Sequence, residues 1–479
     1  MVFSSVIFIF YFLPVFLLGY YVSGWRTAIL VAGSAAFYTW GEGAYLLLLL
    51  ALIGLNYAGA LWIAGAADER RRTAILIAVT AVDFAVLGVF KYAGFVAGAL
   101  NGALPGDPLP LIDLKLPLGI SFFTFQLVSY LVDVRRGSVP AERDPLRFGA
   151  YILMFPHLIA GPIVRYADIR AEMHGDRRRS GHIGLGLQYF IVGLCQKVLV
   201  ANTVAPLADY AFGLDAARLD ALGAWLGMWA YTLQIYFDFC GYSNMAIGLA
   251  FMLGFTFPKN FDYPYVSQSI TEFWRRWHMS LSSWFRDYVY IPLGGNRHGQ
   301  AKTVRNLLAV FFLTGLWHGA AWQFIVWGLY HGGFLMLERF GFGRVIAAAP
   351  RLVRHAYVLA VVMIGWVFFR AETLPRALQH LAALVDPVRA PFDPALSILL
   401  NAQTLTALIA GSLFAVPVLP WLLERLRTSR AEPALPGVPA RLDTRSVHAL
   451  PIPVLAAGFV VSVALLAAST LNPFLYFRF

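Results

Sequence analysis

The stretch AYLLLLLALIGLNYAGALWIAG, residues 44–65, holds no charged side chain. Coiled as a helix at ~1.5 Å per residue, it spans about 30 Å, the thickness of a bilayer's hydrocarbon core. A second run, AILIAVTAVDFAVLGVF at 74–90, is apolar except for Asp83 and the hydroxyl of Thr80. The whole chain agrees with its parts. Of 479 residues, 59% are hydrophobic and 13% charged, whereas a soluble domain carries about a quarter charged residues. The mean hydropathy is +0.66. Strands of a membrane barrel alternate in polarity, and these segments do not. The sequence therefore reads as an all-α polytopic membrane protein with about 11–13 membrane segments by the usual length criterion.

The first residues, MVFSSVIFIFYFLPVFLLGYYV, lack a basic leader and a small-residue cleavage site, so they read as an uncleaved first span. The formal net charge of +11 points, in a membrane protein, to cytoplasmic loops rather than to nucleic acid. Basic clusters fall at 70–72, 135–147, 165–179, 259–305, 339–354 and 425–445. Between them lie loops marked by Asp107 and Asp113, by Asp209, Asp215 and Asp220, and by Asp386 and Asp393. Placing the basic loops inside gives a consistent alternation with the N-terminus outside. The segment MFPHLIAGPIV (154–164) holds two prolines and a glycine and is expected to dip into the protein, shielded from lipid, without spanning. Cys195 and Cys240 lie in apolar segments with no metal-ligand spacing, and no disulfide framework is expected. No internal repeat or low-complexity tract is visible. The Pro-, Arg- and Ala-rich segment 426–449 reads as a cytoplasmic linker before the last span. The simplest organisation is one integral membrane domain, 1–479.

Two regions carry polar chemistry. The longer is DYPYVSQSITEFWRRWHMSLSSWFRDYVYIPLGGNRHGQAK, 262–302. Ser269 or Thr271 suits a helix cap, and Tyr290 with Pro292 ends the helical pattern. Phe273, Trp277, Leu281, Trp284 and Tyr288 recur at three- and four-residue spacing, flanked by Arg275, Arg276 and Arg286, which predicts an amphipathic helix at the cytoplasmic interface. Its plain role is anchoring to anionic lipid headgroups. A sharper role is docking an anionic donor, with glycine backbone, Asn296 and Arg297 of LGGNRHGQAK cradling phosphate. His278 sits within this predicted helix, and its plain reading is an interfacial histidine bonded to a neighbour.

The second region is LTGLWHGAAW, 313–322, within an apolar stretch from about Leu307 to Leu337 that suits two short crossings or a broken one. His318 is an ionisable group at depth, which marks a functional site by default. A neutral imidazole there accepts a proton from a hydroxyl and so serves as a general base. Gly315 and Gly319, at four-residue spacing, would let another helix approach. His331 is a candidate partner or structural donor. Asp238 in QIYFDFCGYSN is the other deep charge, and it orients a cation or fixes helix packing. No spacing of His or Cys supports a metal.

Five long stretches in order make a stronger pattern. LPLGISFFTFQLVSYLVDVRRG (116–137), LIAGPIVRY (158–166), LQIYFDFCGYSNMAIG (233–248), SITEFWRRWHMSLSSWFRDYVYIPLGGNR (269–297) and GLWHGAAWQFIVWGLYHG (315–332) together resemble the membrane-bound O-acyltransferase family, in particular its alginate-acetylating branch. The resemblance runs from MVFSS to WVFFRAET (366–373), so the part carrying motifs is about 1–375. It implies a helical bundle around a central tunnel, in a bacterial inner membrane, with an acyl donor reaching it from the cytoplasm. The family's essential histidine matches His318, and its second histidine matches His278. Asn244 stands where the branch more often has an acid, and His157 where it has an uncharged polar residue.

The resemblance also implies a chemistry. Acetyl-CoA is the donor, its phosphates near Arg275, Arg276 and Arg297, and no bound cofactor or metal is needed. His318 deprotonates the acceptor hydroxyl, while His278, Trp317 or backbone amides near Gly315 steady the oxyanion. The final acceptor is an exopolysaccharide such as alginate, reached through a periplasmic acetyltransferase partner. Acetylated cellulose, peptidoglycan or teichoic acid are alternative acceptors. A transporter or flippase subunit and a secretion scaffold are the rival classes. A transporter of the inverted-repeat kind would show repeated halves, and a scaffold would tolerate loss of His318.

Overall fold

The computed structural model describes residues 2–468 except 107, 111, 176, 178–181, 216, 387–392, 427–446 and 448–449. The linker expected at 426–449 thus falls almost wholly outside the described residues, as do Asp107, Arg178 and Arg179 of the charge map. Among the described residues the regular structure is entirely helical. Four of the described helices are long and apolar enough to cross a membrane: Tyr45–Gly65, Glu69–Asn101, Ile183–Gly213 and Arg351–Arg370. Phe8–Val22, Ala402–Phe414 and Ile452–Ala468 are shorter apolar helices. The chain falls into two compact units. One comprises the residues up to Phe190 with Met245–Pro258. The other comprises Ile191–Asn244 and the residues from Lys259 onward.

In the first unit, the helix Ile120–Arg136 is the axis. It is buried on nearly all sides and is bracketed by Gly119 and Gly137, both in the left-handed region at φ 78° and 73°. A side chain at Gly119 would stand 2.3 Å from the Leu158 carbonyl oxygen, so only glycine fits there. Tyr45–Gly65 and Glu69–Asn101 pack beside it and share a buried hydrogen bond, Asn56 Nδ2 to Asp83 Oδ1 at 2.8 Å. Such a bond is what makes a carboxyl tolerable at depth. The 154–164 segment behaves as its prolines foretell. It forms one short helix, Phe155–Leu158, and every residue in it is buried. Phe155 enters a cluster with Phe3, Phe8, Phe12, Phe16 and Phe37. Glu42 meets Lys115 at 3.7 Å at one end of the helices, and Arg135 meets Glu69 at 2.7 Å at the other.

The second unit is centred on an antiparallel hairpin, Gln300–His318 and Trp322–Leu337, so the apolar stretch from Leu307 is divided between two helices. The hairpin closes backbone to backbone. A side chain at Gly328 would lie 2.2 Å from the Phe311 carbonyl oxygen, and one at Gly315 would lie 2.4 Å from that of Phe324. The glycines that let the helices approach are therefore Gly315 and Gly328. Gly319, expected to share that role with Gly315, lies beyond the helix end in extended backbone. The space a side chain would need there is taken by the Phe324 ring, 2.2 Å away. Arg351–Arg370 packs along Trp322–Leu337, and the aromatic side chains of both join one core with Tyr236, Phe239, Tyr265, Phe273 and Trp277. At one end of these helices Arg370 meets Asp209 at 2.6 Å and Arg218 meets Asp393 at 2.7 Å. At the other end Glu338 caps the helix that follows Ser269.

Candidate active site

The polar stretch predicted as one amphipathic helix is broken in the middle. Ser269 does cap it, accepting from the Glu272 N–H at 3.0 Å. The helix Ile270–Arg276 then stops, and a new one, Met279–Phe285, begins after His278. His278 adopts φ 43° and ψ 55°, left-handed backbone that a non-glycine residue seldom takes. The break has a visible cause in the segment 260–263, itself left-handed at Tyr263, φ 46°. The Asp262 N–H donates to the Arg276 carbonyl and the Met279 N–H to the Asn260 carbonyl, both at 2.9 Å. These two bonds pin the chain on either side of His278. A position held against its backbone preference costs of order 1–3 kcal/mol, and such positions cluster at functional sites.

The same segment orients the ring. Asn260 Oδ1 accepts from the Ser280 N–H at 3.2 Å and from the Ser280 hydroxyl at 2.9 Å. A backbone N–H only donates, which fixes that atom as the amide oxygen. It lies 3.1 Å from His278 Nδ1, so Nδ1 is the protonated nitrogen. His278 Nε2 then carries a lone pair, and among the described residues it has no hydrogen-bond partner. The ring is 1% exposed, with Phe239 edge-on at 4.6 Å between centroids and Trp317 at 6.1 Å.

His318 is the last residue of its helix, where the chain turns from the 300–318 arm into the 322–337 arm. Three aromatic rings stand edge-on around it: Trp317 at 4.9 Å, Trp327 at 5.0 Å and Phe369 at 5.1 Å between centroids. It is 5% exposed. Trp317 is thus in contact with both imidazoles, and the structure brings His278 and His318 to one indole. His331, on the other arm of the hairpin and about one turn past Trp327, does not join them. It is fully buried among Trp274, Trp327 and Tyr330, and neither of its ring nitrogens has a hydrogen-bond partner among the described residues.

Asp238 faces away from this pair. The residue after it, Phe239, touches His278, while its own carboxylate meets Lys197 Nζ at 2.5 Å with both side chains almost wholly buried. Lys197 lies in a π-helical turn, Gln196–Ala201. Gly241 allows the close approach, since a side chain there would come within 3.0 Å of the Lys197 backbone nitrogen. Asn244 continues the same contact, donating to Gln196 Oε1 at 2.8 Å. These residues join helices. His157, in the other unit, is fully buried and stacked on Phe257.

The cations expected to meet a donor are placed unequally. Arg276 is engaged with Asp262 at 3.1 Å and Glu272 at 3.0 Å. Arg275, Asn296 and Arg297 are exposed. The glycine turn keeps its amides to itself. The N–H groups of Gly294, Gly295 and Arg297 donate to the carbonyls of Ile291, Tyr290 and Gly294. From the next helix, Asn306 Nδ2 donates to the Leu293 and Gly295 carbonyls at 3.1 and 2.9 Å. This turn is built to be rigid, and those amides are not free to cradle a phosphate.

Sequence reasoning passed over Lys197, Asn260, Trp327 and Phe369. Lys197, a lone lysine in IVGLCQKVLV, carried the same signal of charge at depth that singled out Asp238. The other three act through contacts between distant segments and left no local mark.

An apolar helical bundle with two imidazoles buried against one indole suits chemistry on a substrate that meets the protein inside the membrane. Residues 140–373, the stretch holding both histidines, match the membrane-bound O-acyltransferase family. The chain belongs to that family and is an O-acyltransferase. Among individual relatives, it is 42% identical to the probable alginate O-acetylase AlgI of Azotobacter vinelandii, over 100% of both chains. It is 34% identical to the peptidoglycan O-acetyltransferase of Helicobacter pylori over 80% of each chain. It is 33% identical to the teichoic acid D-alanyltransferase of Bacillus subtilis, over 47% of this chain and 59% of that one.

Proposed function

We propose that this enzyme moves an acetyl group from a cytoplasmic thioester, acetyl-CoA, across a bacterial inner membrane for O-acetylation of an exopolysaccharide of the alginate type. The observation that carries this reading is the meeting of His278 and His318 at Trp317, inside a chain alignable end to end with an alginate O-acetylase.

The chemistry is acyl transfer between a thioester and a hydroxyl. His318 takes the proton of the acceptor hydroxyl as its oxygen attacks the thioester carbonyl. A C–O bond forms, the C–S bond breaks, and the proton passes from the imidazolium to the departing thiolate. A thioester is already activated, so no nucleotide hydrolysis and no metal is required. A hydroxyl or a bound water is the natural partner for the lone pair of His278 Nε2, and His278 serves there to orient the acceptor. A neutral imidazole with its proton at Nδ1 receives a hydrogen bond at Nε2 and does not donate one, so the oxyanion falls to other donors such as the Trp317 indole N–H. On the far side of the membrane a periplasmic acetyltransferase is the partner that hands the group to the polymer.

The test is genetic and chemical. Cells lacking this gene are complemented with wild type or with His318→Ala, and the ester acetyl content of the exported polysaccharide is measured. Acetyl restored by wild type and absent with the variant is the expected result. An exported polymer whose acetyl content ignores the gene refutes the polysaccharide reading. Acetyl found instead on peptidoglycan redirects it to the wall polymer.

A further inference from the structure

A second feature of the 262–302 region is a cavity of about 650 Å³ at the far end of the hairpin from His318. The helix Ile270–Arg276 and the segment after Trp322–Leu337 line it, and two glutamates and two arginines face it: Glu272, Glu338, Arg339 and Arg354. Their charges do not cancel locally. Glu338 accepts from the N–H of Ile270 at 2.6 Å, the N–H and hydroxyl of Thr271 at 2.9 and 2.7 Å, and the Tyr357 hydroxyl at 3.2 Å. Glu272 accepts from Arg276 at 3.0 Å and from the Gln268 N–H at 2.9 Å. Glu272 is offset by Arg276, whereas Glu338 is held by neutral donors and keeps its charge. The two arginines are paired with neither. Among the described residues neither guanidinium meets a carboxylate, and the enclosed Nε of Arg354 has no partner at all. With Glu272 offset by Arg276, one carboxylate faces two guanidiniums and the cavity is left net positive.

Its position matters as much as its charge. Both wall elements lead to the imidazoles. From Thr271 the short helix runs to His278 over seven residues, ~10 Å at helical rise. From Glu338 the hairpin arm runs back to Trp327, the neighbour of His318, over eleven residues, ~16 Å at the same rise. An extended pantetheine arm is of comparable length. A phosphate held by Arg339 and Arg354 would let such an arm place its thioester at His318.

We propose that this cavity binds the phosphate-bearing end of the thioester donor, with Arg339 and Arg354 as its anion-binding residues, an inference that rests on the thioester-donor reading above. It moves the donor's anchor from Arg275, Arg276 and Arg297 to arginines that the amphipathic pattern did not single out. A phosphate oxygen would complete Arg354, and paired guanidinium contacts suit a diphosphate better than a single ammonium does.

The experiment measures binding of radiolabelled acetyl-CoA and of S-acetyl-pantetheine, which lacks the phosphates, to the full-length protein in nanodiscs. Arg339→Gln and Arg354→Gln are compared with Arg344→Gln, a nearby exposed arginine outside the cavity. Each cavity variant should weaken acetyl-CoA about tenfold to a hundredfold, the range for a lost hydrogen bond to a charged group. Acetyl-pantetheine binding and the Arg344→Gln variant should not change. Cavity variants that bind acetyl-CoA like wild type overturn the site and leave the donor reading standing. A wild type that binds neither thioester overturns both. The discs are made from phosphatidylcholine alone and again with phosphatidylglycerol added. An effect confined to discs with phosphatidylglycerol gives the cavity to a lipid headgroup and overturns the proposal, whereas the same loss in both supports it.

Discussion

Asn260 sets the protonation of His278 from 18 residues away. Its side-chain oxygen is held by the Ser280 backbone N–H, so the ring nitrogen beside it has to be the donor. That contact gives a histidine with almost no solvent contact a defined basic nitrogen, while the backbone bonds of Asp262 and Met279 hold the left-handed backbone there.

Replacing Asn260 separates the oxygen's role from the residue's bulk. Asn260→Ala leaves His278 Nδ1 and the Ser280 donors without an acceptor, at a cost of about 1–3 kcal/mol. We expect lower thermal stability in detergent together with lower acetyl transfer. Asn260→Asp keeps an acceptor and should recover most of both. Equal loss in the two variants would show that the oxygen is not what matters.

His278→Asn tests the imidazole apart from the backbone. Asparagine tolerates left-handed geometry better than most residues, so the variant should insert and unfold like wild type. Transfer should nevertheless fall, because the lone pair at Nε2 is gone. Full activity in this variant would reduce His278 to a turn residue.

Lys197 and Asp238 form a buried ion pair, and each depends on the other. Removing one partner leaves a charge stranded among apolar side chains, which costs about 3–5 kcal/mol. Lys197→Met and Asp238→Leu should each lower the unfolding temperature sharply. The double variant should recover most of the loss, since replacing a whole buried pair by apolar groups is often close to neutral. A double variant no better than either single one would mean that the pair does more than hold helices together.

The hairpin depends on glycine at a point of backbone contact. Gly328→Ala forces a methyl group against the Phe311 carbonyl and should cost about 1–3 kcal/mol, as overpacking does. Gly333→Ala lies on the same helix with nothing within 4 Å and should be neutral or mildly stabilising. Equal thermal stability of the two variants would contradict the close approach.

Much of this was legible in the residues, and the exceptions share a cause. The apolar runs foretold helices because the bilayer leaves few alternatives. Ser269 foretold a helix start because capping is local chemistry. The proline- and glycine-bearing 154–164 segment foretold a buried, non-spanning piece. His318 could be singled out because charge at depth is conspicuous. The break at His278 was not legible. Trp277 and Leu281 keep helical spacing across it, and the force that interrupts the helix comes from Asn260 and Asp262, outside the periodic stretch. The glycine turn at 294–295 also misled, since composition shows which residues could offer amides but not that those amides bond within the turn. The partner of Asp238 and the rings around His318 come from other helices, and no local pattern reports which helices will meet.

The central claim is that the imidazole of His318 takes the acceptor's proton. The most direct test is the rate of a single turnover of acetyl-CoA by wild type and by His318→Ala in nanodiscs, with donor binding measured on the same samples. Loss of a general base costs about 10²–10⁴ in rate. We predict a loss in that range with donor affinity unchanged. A variant that binds the donor normally and transfers acetyl at the wild-type rate would contradict the account.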